Sequence, residues 1–148
     1  MSDAVSVALA ALRRRERSRA ELREWLGRRG FGGEEIAAAL DRLGELGELD
    51  DARFARRFAE DKRELSGWGP ERIRESLLGR GVPLDDVEVA LDSDSEDRQL
   101  DRASVLLERK GGDLDSDVSR GRALAYLTRR GYEYEIAYEA VRRHGQAA

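Results

Sequence analysis

One segment recurs three times along this chain: residues 18–31 (SRAELREWLGRRGF), 69–82 (GPERIRESLLGRGV) and 119–132 (SRGRALAYLTRRGY). The glycines that anchor the match, Gly30, Gly81 and Gly131, lie 51 and 50 residues apart. Around them Leu26, Leu77 and Leu127 coincide, as do Arg29, Arg80 and Arg130, and a large residue follows each glycine: Phe31, Val82 and Tyr132. A repeat of this period is one supersecondary unit that buries its apolar face by stacking on the next copy.

Within each copy the pattern predicts a helix, a glycine stop and a second helix. Ser18 and Ser119 are placed to cap the first of these helices, and Glu21 completes a capping box with Ser18. Gly69 takes the same place in the second copy, followed by Pro70 at the first helical position, where its missing N–H does no harm. Each glycine supplies a left-handed stop, with arginines on the negative helix end before it.

A preceding helix completes each copy. The expected helices are 4–16, 19–29 and 34–46, then 51–65, 70–79 and 84–91, then 97–110, 120–130 and 133–143. Apolar stripes at helical spacing support them: Leu22, Trp25 and Leu26; Ile36, Leu40 and Leu43; Phe54, Phe58 and, further along, Leu65; Leu84, Val87 and Leu91. Trp25, Phe54 and Phe58 are expected in the core. No alternation of strand type appears. The predicted fold class is all-α: three tandem three-helix repeats at 1–49, 50–92 and 93–148, forming an elongated, curved array. Residues 92–97 (DSDSED) read as an acidic joint in which Asp94 or Ser95 caps the next helix.

Composition excludes several classes of function. The 148 residues contain no cysteine, hence no disulfide or thiolate, and one histidine, His144, too few for a metal cluster. No phosphate-cradling glycine–lysine loop occurs, and no serine or threonine has a base other than His144. The paired aspartates at 50–51 and 85–86 read as helix starts. The chain is therefore expected to be no enzyme, to need no cofactor and to bind no metal. Apolar runs fall far short of a membrane span and no leader pattern opens the sequence, so a cytoplasmic monomer is expected.

Net charge is −4, against a general nucleic-acid binder, but its distribution is uneven. Residues 13–29 carry eight arginines against Glu16, Glu21 and Glu24. Arginines there can converge on phosphates or carboxylates, or can form a solvated face interleaved with glutamates. Trp68, between Gly67 and Gly69, is either an interface anchor or a staple packed on Ile73 or Arg74. Tyr134 and Tyr138 either pack or form an exposed pair. The candidate partner-contact set is Arg13, Arg14, Arg15, Arg17, Arg19 and Arg23; Trp68, Arg72 and Arg74; and Arg129 and Arg130.

Four runs carry a family resemblance. Residues 15–31 (RERSRAELREWLGRRGF), 49–62 (LDDARFARRFAEDK), 67–82 (GWGPERIRESLLGRGV) and 129–141 (RRGYEYEIAYEAV) resemble, in order and spacing, signature segments of the RecX family. The resemblance implies a regulator that binds the RecA filament on single-stranded DNA. It also implies restraint of the filament's recombinase, ATPase and coprotease activities, and so a role in homologous recombination, DNA repair and the SOS response. A weak direct contact with DNA goes with it. Two other readings of the same helices are a direct DNA-binding protein, since paired helices across a glycine turn match a helix-turn-helix superficially, and a generic helical adaptor.

Overall fold

The computed structural model describes residues 3–147, and among these every regular element is helical. In chain order they are α1 (Asp3–Arg14), α2 (Arg19–Arg28), α3 (Gly33–Glu45), α4 (Asp51–Asp61), α5 (Pro70–Gly79), α6 (Leu84–Asp92), α7 (Glu96–Lys110), α8 (Asp117–Arg129) and α9 (Tyr134–Ala147). The fold is all-α and built of tandem three-helix repeats, as the recurrence predicts.

The helix stops are built identically in all three copies. Phe31, Val82 and Tyr132 donate their backbone N–H to Leu26, Leu77 and Leu127, and Gly30, Gly81 and Gly131 donate to the carbonyls of Gly27, Leu78 and Thr128. This paired pattern closes a helix on a left-handed residue, and the three glycines have φ of 89°, 79° and 103°.

Two compact units emerge, each taking part of the middle repeat. The first contains residues 1–57 and 77–90, the second 58–76 and 91–148. In the first, α1 and α2 pack on α3 around Ala8, Leu22, Leu26, Leu40 and Leu43. In the second, α7 and α8 pack on α9 around Ala103, Leu107, Leu127, Ala137 and Val141. The buried alanines among them, such as Ala4, Ala8 and Ala39 in the first unit and Ala103, Ala137 and Ala140 in the second, take little space and let short helices pack closely.

Each unit contains the same joint. In the first, the fully buried Ser18 hydroxyl donates to the Arg80 carbonyl at 2.6 Å, while it caps α2 by accepting from Glu21 N–H at 3.1 Å. In the second, Gly69 N–H donates to the Arg130 carbonyl at 2.8 Å, and Glu71 N–H to the Gly131 carbonyl at 2.9 Å. Gly69 stands in the repeat where Ser18 does, and Arg130 where Arg80 does. Thus the start of one repeat's second helix docks on the glycine turn of the next repeat. Ser18→Ala removes the cap and strands a buried carbonyl, so it is expected to cost about 2–4 kcal/mol in urea melting; a loss under about 0.5 kcal/mol would mean that the joint does not hold the unit together.

Several sequence expectations need correction. The cap of α8 is Ser116, not Ser119; Ser119 is the fourth residue of the box, its N–H bonded to Ser116 Oγ at 3.1 Å while its own Oγ accepts from Ser116 N–H. Ser95 caps α7, whereas Asp94 turns inward. The predicted single helix 51–65 breaks register: after Asp61 one π-helical turn spans Lys62–Ser66 and ends on Gly67 with φ 67°. The wider turn rotates Leu65 off the face that carries Phe54, leaving it 82% exposed. Leu84, as the first residue of α6, is exposed rather than part of the buried stripe, while Val87 and Leu91 are buried. Trp25 is half-buried beneath Arg17 and Arg29, and Phe58 is half-buried too.

Candidate partner-contact groove

The docking of α5 on the third glycine turn brings distant segments together. Gly131 approaches so closely that a Cβ there would lie 2.5 Å from Arg72 Cβ and 2.6 Å from Arg72 N. This juxtaposition sets Trp68 and Arg72 beside Tyr126, Arg129 and Arg130, and the five line an open groove of about 880 Å³ with Leu65 and Ser66. No carboxylate lines it.

Trp68 packs back on the end of α4, meeting Phe58 edge-on at 6.2 Å between centroids. The π turn and Gly67 redirect the chain and carry the indole there. Arg72 lies over its ring at 4.3 Å and Lys62 at 4.7 Å. Tyr126 carries a second pair, Lys110 at 4.4 Å and Arg130 at 5.1 Å. Each contact is worth about 0.5–1 kcal/mol at an exposed site, so together they hold four cations over two rings. Among the described residues, Lys62, Arg72, Lys110, Arg129 and Arg130 form no ion pair.

The repeat explains the surplus charge. In the first joint Arg80 donates to Glu21 at 3.0 Å, cation against carboxylate. The equivalent positions in the second joint are Arg130 and Arg72. Arginine stands where the first repeat has glutamate, so this joint cannot neutralise itself. Arg130 spends one nitrogen on the Ser66 carbonyl at 2.6 Å, while Arg72 and Arg129 remain exposed.

Behind the groove lies a buried ionic hub that sequence reading missed. The Asp94 side chain is 1% exposed and receives both terminal nitrogens of Arg102, at 3.0 and 2.8 Å. Arg63 lies 3.6 Å from the same carboxylate. Arg102 Nε donates to the Tyr132 hydroxyl at 2.9 Å, and that hydroxyl donates to the Gly67 carbonyl at 2.9 Å. Burial works against the Arg102 charge, but its bonds to Asp94 and Tyr132 outweigh this and leave its pKa above the ordinary value. Burial pushes the Tyr132 hydroxyl up. The hub ties together the π turn, α7 and the turn after α8, and the π turn lines the groove through Leu65 and Ser66.

The other candidates take varied positions. Arg13, Arg14, Arg15 and Arg23 are exposed in the first unit. Arg17 folds back onto the Ala11 carbonyl and over Trp25, and burial, then neighbouring Arg15, lowers its pKa. Arg19 is committed to Asp41 at 2.6 Å. Arg74 pairs with Glu71 along α5, outside the groove. Tyr134 and Tyr138 stack on the exposed face of α9 with centroids 6.0 Å apart. Among the described residues no cluster of histidine, cysteine or carboxylate side chains could hold a metal ion, and no helix is long and apolar enough to cross a membrane.

Fold and groove together define a tandem three-helix repeat protein with a cation-rich groove. Comparison with known proteins gives the particular family. The model of the RecX first three-helix domain matches residues 4–43, and that of the second matches residues 50–91. A regulatory protein RecX of Thermus thermophilus is 38% identical over 141 residues, covering 95% of this chain and 92% of that protein. That of Pseudomonas syringae pv. tomato is 40% identical over 130 residues, covering 87% and 83%. The crystal structure of RecX from Lactobacillus salivarius has the same fold, with a TM-score of 0.87 at 19% identity, covering 97% of this chain and 95% of that one. The chain belongs to the RecX family.

Proposed function

We propose that this chain binds the filament that RecA forms on single-stranded DNA and restrains its ATPase, strand-exchange and coprotease activities. What supports this reading above all is membership of a family whose relatives are named regulatory proteins, matched over 95% of the chain. The groove at Trp68, Arg72, Arg129 and Arg130 is the main contact, and the exposed Arg13, Arg14, Arg15 and Arg23 on the first unit are a second. Two contacts on one chain give avidity on a polymer that repeats its binding sites, so modest affinity at each suffices. Such a regulator needs no nucleotide site of its own, because the filament hydrolyses the ATP.

The test is a pull-down on two baits, RecA assembled on single-stranded DNA and bare duplex DNA. Retention on the filament alone is expected; equal retention on duplex would instead make the chain a DNA-binding protein. Reversing Arg72 and Arg129 together to glutamate changes local charge by about four units and is expected to slow association with the filament and flatten its salt dependence. The melting temperature should stay near that of the wild type, because both side chains are exposed. Stopped-flow association at two ionic strengths checks this, and unchanged rates would remove the groove from the contact.

A further inference from the structure

We infer that the groove of the second unit recognises an acidic protein segment with an apolar residue among its carboxylates, rather than the phosphodiester backbone of a nucleic acid. This rests on the reading of the groove as the partner-facing surface and adds the chemistry of what it takes.

Charge complementarity comes first. The chain has more carboxylates than cations, and many of its arginines find a partner among them: Arg80 with Glu21, Arg19 with Asp41, Arg102 with Asp94, Arg142 with Glu139. In the groove Arg72, Arg129 and Arg130 have no carboxylate beside them. Arg72 replaces the glutamate that neutralises the equivalent joint, so Arg72 and Arg130 bring two like charges to one groove, on segments tied by the Gly69–Arg130 and Glu71–Gly131 backbone bonds. Their counter-charge must come from outside, and planar guanidinium forks suit carboxylates or phosphates.

Two further features choose between these anions. Single-stranded nucleic acid is gripped by stacking bases on aromatic faces. Here Trp68 and Tyr126 each already carry two cations at 4.3–5.1 Å, so the rings hold the charges in position and are not a free platform for bases. Beside them stands Leu65, 82% exposed on the π turn and lining the same groove. A phosphodiester has nothing to set against an exposed leucine; a peptide with an apolar side chain between acids does. Arg129 and Arg72 then take the carboxylates while Leu65 takes the apolar side chain.

The test is fluorescence anisotropy of the intact chain with three labelled probes: a short peptide of aspartate and glutamate around a central leucine, the same peptide with serine at the centre, and an oligothymidylate of equal length. The leucine peptide is expected to bind tightest. Arg72→Glu, which installs the acid found in the first joint and offers Arg130 an internal partner, should weaken that binding about tenfold without loss of helicity. Leu65→Ser should weaken the leucine peptide several-fold and bring it level with the serine peptide. Oligothymidylate binding equal to or tighter than the peptide's, or peptide binding indifferent to Arg72→Glu, overturns the inference. A chain that binds the peptide yet leaves filament ATP turnover unchanged contradicts the filament reading while the inference stands. One that restrains the filament but ignores the peptide overturns the inference alone.

Discussion

Gly131→Ala is expected to destabilise the chain by about 3–5 kcal/mol, whereas Gly30→Ala, at the equivalent stop of the first repeat, costs about 1–2 kcal/mol. Both glycines have positive φ, 103° and 89°, so both variants incur the left-handed strain of a side chain. They differ in their surroundings. A Cβ at Gly30 meets nothing within 4 Å, while one at Gly131 meets Arg72 Cβ, Arg72 N and the Gly69 carbonyl at 2.5–2.9 Å. Two of those atoms are backbone, fixed by the Gly69–Arg130 and Glu71–Gly131 bonds, so relief requires breaking the joint. Urea melting of the two variants should show this difference, and equal losses would mean that α5 does not dock on the third turn. Gly81→Ala should likewise cost more than Gly30→Ala, since a Cβ there lies 2.3 Å from Ala20 Cβ, an atom fixed to the α2 backbone.

Asp94→Ala should be comparably severe, about 3–5 kcal/mol. The substitution removes the shared acceptor of Arg102 and Arg63 and leaves their charges under-compensated in a site that admits little water. A buried pair adds little over a well-packed apolar replacement, but breaking one by deleting a single partner is costly. Tyr132→Phe, which removes only the hydroxyl that joins Arg102 to the Gly67 carbonyl, should cost about 1–3 kcal/mol. Because the hub borders the groove, Asp94→Ala should also weaken partner binding at temperatures where the chain is still folded. A melting temperature equal to that of the wild type would show that the hub does not hold the π turn and α7.

The helix stops and most caps were legible because they are local. Gly30, Gly81 and Gly131 each announce a left-handed turn, and Ser18 with Glu21 announces a start three residues away. Asp94 was not legible: in a run of acids and serines it looks solvated, and only the fold supplies Arg102, eight residues on, and Arg63, thirty-one residues back. The π turn was equally hidden, since Leu65 continues an α-helical apolar spacing that the backbone abandons after Asp61. Trp68, Arg72, Arg129 and Arg130 could be singled out one by one, but their meeting depends on a close backbone approach between Gly69 and Gly131. A signal for it did exist in the repeat. Aligning the copies puts glycine at 69 where Ser18 stands, which permits the approach, and Arg72 where Glu21 stands, which removes the internal counter-charge.

ATP turnover by RecA on single-stranded DNA, measured as this chain is titrated in, decides whether the chain restrains the filament. Turnover should fall at substoichiometric ratios, because one chain bound to a polymer affects many protomers. With Arg72 and Arg129 reversed to glutamate, the same fall should need a concentration higher by about tenfold or more. Turnover that stays constant at every ratio, in low salt where ionic contacts are strongest, would contradict the claim.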